Sequence, residues 1–301
     1  MTEAKRSRTV WTVLIIVGVL VLIAAGFAGW GVMGARLSSA RQLDQAIVLV
    51  KSADTAVVAI DEVVRAEVSP AVGQKASELE PTVETATRQL SDAVVLIDKA
   101  YPKLNNAERA KATLLRTTAT AKLAMLKQAP LILSANVKVA QAQPIAKLAW
   151  EQTARAKLLA DEAVASYNKL TKAGAQSSAV KNAQAEAAFT EARDSFSRAA
   201  IAFPEAGMNR YVAYVDQKLV QIAISRRSDA AYLAGKIADA NKLIVEYNKA
   251  DAKGVAMAKA LPATPTTAIA DAYKLLADSA TDAYFQARRE ASAADQSLAA
   301  L

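Results

Sequence analysis

The longest run of apolar residues in the chain lies near its N-terminus. No charged residue occurs between Thr9 and Ala35, and residues 13–23 contain only Val, Leu, Ile and Gly. A helix that spans the hydrocarbon core of a bilayer needs about 20 apolar residues. Residues 9–35 are therefore predicted to form a single transmembrane helix.

Two tryptophans mark the ends of this segment. Trp11 and Trp30 are 19 residues apart, which corresponds to about 28 Å along a helix. This spacing places one indole at each membrane interface. The alternative is a cleaved signal peptide with a cleavage site near residues 26–28, but the apolar region of such a peptide is usually about 7–15 residues long. The longer run favours a retained signal anchor.

The basic residues around the segment orient it. Three lie within the first eight residues, and two follow the segment, Arg36 and Arg41. Cytoplasmic flanks carry the excess of Lys and Arg. Residues 1–8 are therefore expected to be a cytoplasmic tail, and residues 36–301 an extracytoplasmic domain on the periplasmic or cell-surface side. The reverse topology is the alternative.

The rest of the chain has helical periodicity. Apolar residues recur at intervals of three and four from Leu43 to Val64 and from Ala230 to Tyr247, which is typical of amphipathic helices. Between the glycines and prolines the chain consists mainly of strong helix formers, and no segment alternates like a strand. The predicted helices are 36–68, 71–100, 106–128, 131–172, 177–202, 206–260 and 264–299.

Local signals refine these boundaries. Asn105 with Glu108 three residues later is typical of a helix N-terminus. Pro81 and Pro144 are expected to kink or interrupt their helices. The pattern Tyr-Asn-Lys followed by glycine occurs twice, and its glycines, Gly174 and Gly254, are expected to end helices.

These elements predict an all-α chain. A single N-terminal transmembrane helix is followed by an elongated antiparallel helical bundle, or by stacked helical hairpins. The stripe from Ala230 to Tyr247 has the spacing of a coiled-coil seam. Alanine at many seam positions predicts close helix approach and a thin core.

Composition restricts the chemistry. The 301 residues include no Cys and no His, which excludes disulfides, thiolate metal sites and imidazole catalysis. Glycine-rich phosphate loops, nucleophile elbows and carboxylate-rich calcium loops are absent from the sequence as well. We therefore expect no catalytic residues, no metal site, no cofactor and no enzymatic activity.

The net charge is +8, and residues 100–172 hold 12 basic and four acidic side chains. Arg109, Arg116 and Lys127 fall on one face of their predicted helix, while Arg226 and Arg227 interrupt the apolar stripe of another. Each group is either a solvated helix face or a contact for a carboxylate or phosphate of a partner. No aromatic residues are interleaved with the basic ones, which argues against nucleic-acid binding.

Long amphipathic helices on a single anchor favour a non-enzymatic, membrane-anchored helical scaffold or partner-binding protein of the cell envelope. Its partners would be the lipid bilayer, through residues 9–35, and a protein or an anionic envelope polymer. The alternative function is a small-ligand-binding sensory bundle that acts with a separate transmembrane partner. Ala24 and Ala28 form a small-xxx-small pair, so homo-oligomerisation through the anchor is a further hypothesis.

Overall fold

The computed structural model describes residues 39–300, and this part of the chain is all-α. Its helices are α1 (Ser39–Arg65), α2 (Pro70–Ala100), α3 (Asn106–Tyr167), α4 (Lys172–Ala202), α5 (Asn209–Leu233), α6 (Ile237–Ala260) and α7 (Pro265–Ala299). Short 3₁₀ turns, Tyr101–Lys103 and Pro204–Ala206, follow α2 and α4. The prediction of an all-helical fold is confirmed.

The predicted anchor at 9–35, its interfacial residues Trp11 and Trp30 and the tail at 1–8 lie outside the described residues. Within residues 39–300, none of the helices combines the length and the apolar character that a membrane span requires.

The fold is organised around α3, which has 62 residues and a length of about 93 Å. Its start agrees with the sequence, because the Asn105 side chain accepts from the Glu108 backbone N–H and the Glu108 carboxylate accepts from the Asn105 backbone N–H. The predicted break between 128 and 131 is wrong, and so is an interruption at Pro144. Both Pro130 and Pro144 lie inside the continuous helix.

Burial on both sides of Pro130 explains why α3 continues. An interior proline costs about 3 kcal/mol because it removes one backbone hydrogen bond and crowds the preceding turn. Leu126 and Ala129 before the proline and Leu133 after it are all buried in one core. The burial of this unbroken stripe offsets the local cost. Pro81 lies inside α2 in the same way, without ending the helix.

Two helical bundles share α3 and α7. In the first bundle, α1, α2, the first half of α3 and the second half of α7 enclose one core. In the second bundle, the rest of α3 packs against α4, α4 packs against α5, and the start of α7 joins the same core. Helix α6 packs mainly against α5. The result is an antiparallel helical bundle, extended along α3.

More than half of the buried hydrophobic residues among those described are alanines, so the helices approach one another closely. One close approach is at Gly73 of α2, where an added Cβ would lie 2.2 Å from the Cβ of Ala140. Since nonbonded carbon atoms prefer a separation of about 3.5–4.0 Å, only glycine fits at this crossing.

The predicted helix 206–260 is wrong, because the chain reverses direction within it. Gly235 adopts a left-handed conformation with φ 76°. Its N–H donates to Tyr232 O (2.9 Å) and the Lys236 N–H donates to Ala231 O (2.9 Å), which is the hydrogen-bond pattern of a Schellman C-cap. The predicted coiled-coil seam therefore crosses a turn, with Ala230 on α5 and Ala240 on α6.

The two glycines expected to end helices lie inside them. Gly174 belongs to the first turn of α4, where its N–H donates to the Thr171 hydroxyl (3.0 Å). Gly254 is buried within α6. In both places the absence of a side chain serves packing, since an added Cβ would meet Ser166 O at 2.5 Å or Lys218 Nζ at 3.3 Å.

Candidate binding cleft

The predicted arginines of α5 both form ion pairs with neighbouring helices. Arg226 pairs with Glu186 of α4, and Arg227 donates to Glu246 of α6 (2.9 Å). All four side chains remain partly exposed. The pairs connect α5 to both of its neighbours, and a role in binding an external anion stays a prediction.

The predicted basic stripe lies in the first bundle, far from Arg226 and Arg227. Arg116 pairs with Asp98 of α2 (2.7 Å). Arg109 donates to Pro102 O (3.0 Å), and its guanidinium lies 5.8 Å from the centre of the Tyr101 ring. Lys127 is exposed. The structure therefore places the two predicted basic groups at separate sites.

A different surface within residues 39–300 contains a large cavity. It is a cleft of about 790 Å³ between residues 157–164 of α3 and residues 247–259 of α6, with α5 as its floor. The cleft exists because α6 rests on α5 without packing along α3. A second lobe of about 290 Å³ continues it towards Tyr167, and Val164 and Tyr247 border both lobes.

Two contacts fix the register of α3 against α5. The Trp150 and Tyr211 rings meet edge to face at 5.9 Å, and the Ser228 hydroxyl donates to the Tyr167 hydroxyl (3.0 Å). Tyr167 and Ser228 are 61 positions apart in the sequence, and so are Trp150 and Tyr211. Lys157 of α3 is therefore level with Lys218 of α5.

Lys218 lies on the cleft floor, with only 13% of its side chain exposed. Its ammonium donates to Gln221 Oε1 (2.9 Å) and Asp251 Oδ1 (3.3 Å), and it lies 6.0 Å from the centre of the Tyr214 ring. The Gln221 amide also donates to Asp251 Oδ1 (2.7 Å). Gly254 leaves the space that this ammonium occupies.

Four aromatic side chains line the two lobes. Three of the chain's eight tyrosines, Tyr167, Tyr214 and Tyr247, line them together with Phe189. Burial raises the pKa of Tyr214 and Tyr247, and the nearby carboxylates of Asp251 and Asp161 raise each pKa further. Both hydroxyls therefore stay protonated at neutral pH and can donate hydrogen bonds.

A buried carboxylate lies beside the second lobe, between α4 and α5. Asp229 is 1% exposed, and its Oδ2 accepts from the Asn182 amide (2.8 Å). Its Oδ1 accepts no hydrogen bond from the described residues. Burial raises the pKa of Asp229, although its hydrogen bonds from Asn182 and Ser178 lower it. This group belongs to the α4–α5 interface rather than to the surface of the cleft.

No known protein family, curated protein or solved structure matches this chain. Within the part of the chain that the structure describes, no three acidic side chains are grouped so as to hold a metal ion. The cleft instead offers lysines, tyrosine hydroxyls, an amide and aromatic surface, which suit a polar organic ligand or a segment of a partner.

The sequence pattern misses the cleft residues because each resembles an ordinary helical residue. One local signal was present: Gln217, Lys218 and Gln221 place three polar side chains on one face of α5 at intervals of one, three and four. That face is buried at Gln217 and Gln221. A polar stripe on a buried face is unusual for a helix of a simple bundle.

Proposed function

We propose that this protein is a membrane-anchored, non-enzymatic helical scaffold of the cell envelope that binds a partner in the cleft. The observation that carries this proposal is the position of the cleft, which lies at the far end of α3 from the start of α1. A cleft there is held at a distance from the membrane and is open to a partner.

The distance follows from the register of the helices. Lys122 of α3 donates to Asp54 of α1 (2.7 Å), and these residues are 68 positions apart. Since α1 and α3 are parallel, Ser39 is level with about residue 107 of α3. Asp161 in the cleft is about 54 residues further along α3, or about 80 Å away.

The proposed anchor directly precedes α1. A helix spanning residues 9–35 would hold the first bundle at the bilayer and place the cleft about 80 Å outwards. The extracytoplasmic side follows from the basic residues of the tail. Removal of residues 1–35 should move the protein from the membrane fraction to the soluble fraction of cells that express it. Retention of the shortened chain on the membrane would contradict the anchor.

The partner is expected to be a protein or an anionic envelope polymer. Photo-crosslinking in intact cells tests its binding to the cleft, with a photoreactive amino acid in place of Val255 on the α6 wall. Val255 is 45% exposed and lines the cleft. Val95 of α2 is the matched control, because it is 48% exposed and lies in the first bundle.

A discrete adduct is expected from position 255 and not from position 95. The same adducts from both positions, or none from position 255, would overturn partner binding at the cleft.

The size of the adduct also tests the second candidate function, a small-ligand-binding sensory bundle with a separate transmembrane partner. That candidate is favoured by the cleft volume, which falls within the range of about 300–1,000 Å³ typical of small-molecule sites.

A further inference from the structure

We infer that the cleft binds an anionic oxygen group, a carboxylate or a phosphate, carried on an aromatic or apolar body. This inference rests on the proposed function, because it names the chemistry of what the same cleft binds.

Two lysines at one level of the cleft carry the inference. Lys218 is on the floor and Lys157 is on the α3 wall, and both line the same cavity. Lys218 uses two of its three N–H groups on Gln221 and Asp251, which leaves one donor. Lys157 forms no ion pair within the described residues. An anion between these ammonium groups receives charge-assisted hydrogen bonds from both sides.

The charged side chains that line the cleft leave an excess of one positive charge. Asp251 already accepts from Lys218 and Gln221, so much of its charge is compensated. Asp161 is exposed on the α3 wall, one helical turn beyond Lys157. With Lys259 at one end, the cavity is lined by three cationic and two anionic side chains. An ammonium ligand would have to displace Lys218 from Asp251 before it could pair there.

The remaining lining suits the body of such a ligand. Tyr214 and Tyr247 present aromatic surface together with hydroxyl donors, and Phe189 contributes apolar surface. Small-molecule sites combine apolar lining with a few polar groups that orient the ligand. An aromatic or apolar body against the tyrosines would leave its acidic group facing Lys157 and Lys218.

Saturation-transfer NMR on the full chain in a neutral detergent tests the inference. The probes are phenylacetate and phenyl phosphate, with neutral phenylacetamide and cationic phenethylamine for comparison. The two acids should bind and the amide should bind more weakly. Phenylacetate and phenyl phosphate, compared with each other, show whether the preferred group is a carboxylate or a phosphate.

Lys157→Met and Lys218→Met should weaken binding of the preferred acid about fivefold and about tenfold, respectively. The matched control is Lys253→Met, because Lys253 is exposed on α6 and does not line the cleft; this variant should bind the acid like the unmodified chain. Binding of phenylacetamide should change in none of them. If Lys218→Met lowers the helicity of the chain, Lys157→Met decides the question, since its side chain is exposed.

Equal binding of the acid and the amide, a preference for phenethylamine, or unchanged acid binding in both lysine variants would overturn the inference. Each of these results differs from a failure of the proposed function. If the acids do not bind but position 255 still forms a discrete adduct in cells, the cleft binds a partner of other chemistry. If the acids bind and no adduct forms, partner capture at the cleft is wrong.

Discussion

The crossing of α2 and α3 at Gly73 gives the sharpest test of the packing. In the variant Gly73→Ala, the new Cβ would lie 2.2 Å from the Cβ of Ala140 and 3.5 Å from Asn136 O. Carbon atoms prefer a separation of about 3.5–4.0 Å, so the two helices would have to move apart by about 1.5 Å at this point. Neither methyl group can rotate away, because each is attached directly to a helical backbone.

Two opposing terms set the size of the effect. Alanine stabilises a helix interior by about 0.5–1 kcal/mol relative to glycine. Overpacking of a well-packed core costs about 1–3 kcal/mol, and the upper part of that range applies because both methyl groups are fixed. The variant Gly73→Ala should therefore lower the free energy of unfolding by about 1–2 kcal/mol.

A second substitution separates the clash from other causes. Ala140→Gly alone should cost about 1 kcal/mol through helix propensity. In the double variant the small residue moves from α2 to α3, so both the propensity terms and the clash should largely cancel. The double variant should then be close to the unmodified protein, with a coupling free energy of roughly 2 kcal/mol between the two sites.

Urea unfolding of the full chain in a neutral detergent, followed by far-UV circular dichroism, measures these differences. Stabilisation of Gly73→Ala by the amount that helix propensity alone predicts would refute the close approach. So would additive effects in the double variant, because residues without contact do not couple.

Three further predictions concern individual residues. Lys122 is 7% exposed and forms ion pairs with carboxylates on α1 and α7 (2.7 and 2.9 Å). Since these carboxylates are partly exposed, Lys122→Met should lower the free energy of unfolding by about 1–2 kcal/mol in the same urea assay. Lys127→Met should change it little, because Lys127 is exposed. Burial raises the pKa of Tyr211 to about 12. The protonated hydroxyl therefore contributes fully to the free energy of unfolding below pH ~10, and this contribution is lost as the pH rises towards about 12. Tyr211→Phe should make the urea midpoint fall less steeply over this pH range, and an unchanged slope would contradict the prediction. An added Cβ at Gly235 meets no atom within 4 Å. Gly235→Ala should therefore destabilise the protein by about 1–2 kcal/mol through the left-handed backbone alone. An unchanged thermal unfolding temperature would show that the turn relaxes.

Features of the fold that depend on neighbouring residues along the chain were predictable from the sequence. The helical periodicity and the cap formed by Asn105 and Glu108 are of this kind. The predictions at Pro130 and Gly254 are wrong because the effects of these residues depend on distant partners. The cost of Pro130 is offset by burial on both sides of it, and Gly254 accommodates Lys218, which lies 36 positions earlier in the chain.

The candidate site was less predictable for the same reason. Arg226 and Arg227 stand out in the sequence as a charged interruption, but Glu186 and Glu246 pair with them. Lys157, Lys218 and Asp251 come from three helices, and only the register of α3, α5 and α6 brings them to one cavity. That register depends on the turn at Gly235, which the continuing apolar period conceals.

The shallow attachment of α6 connects the architecture to the proposed function. Among its residues only Ala240 and Gly254 are fully buried, and Met257 packs against the second core while staying partly exposed. Polar contacts with α5 also hold α6: the Gln217 amide donates to Ala250 O (3.0 Å), and Asp251 accepts from Lys218 and Gln221. With α6 in this position, the side chains of Tyr247 and Val255 line the cleft instead of packing against α3. A helix attached in this way keeps the wall of the cleft in place and leaves that surface open, as the proposed partner binding requires. A fully packed α6 would close the cavity with its own side chains.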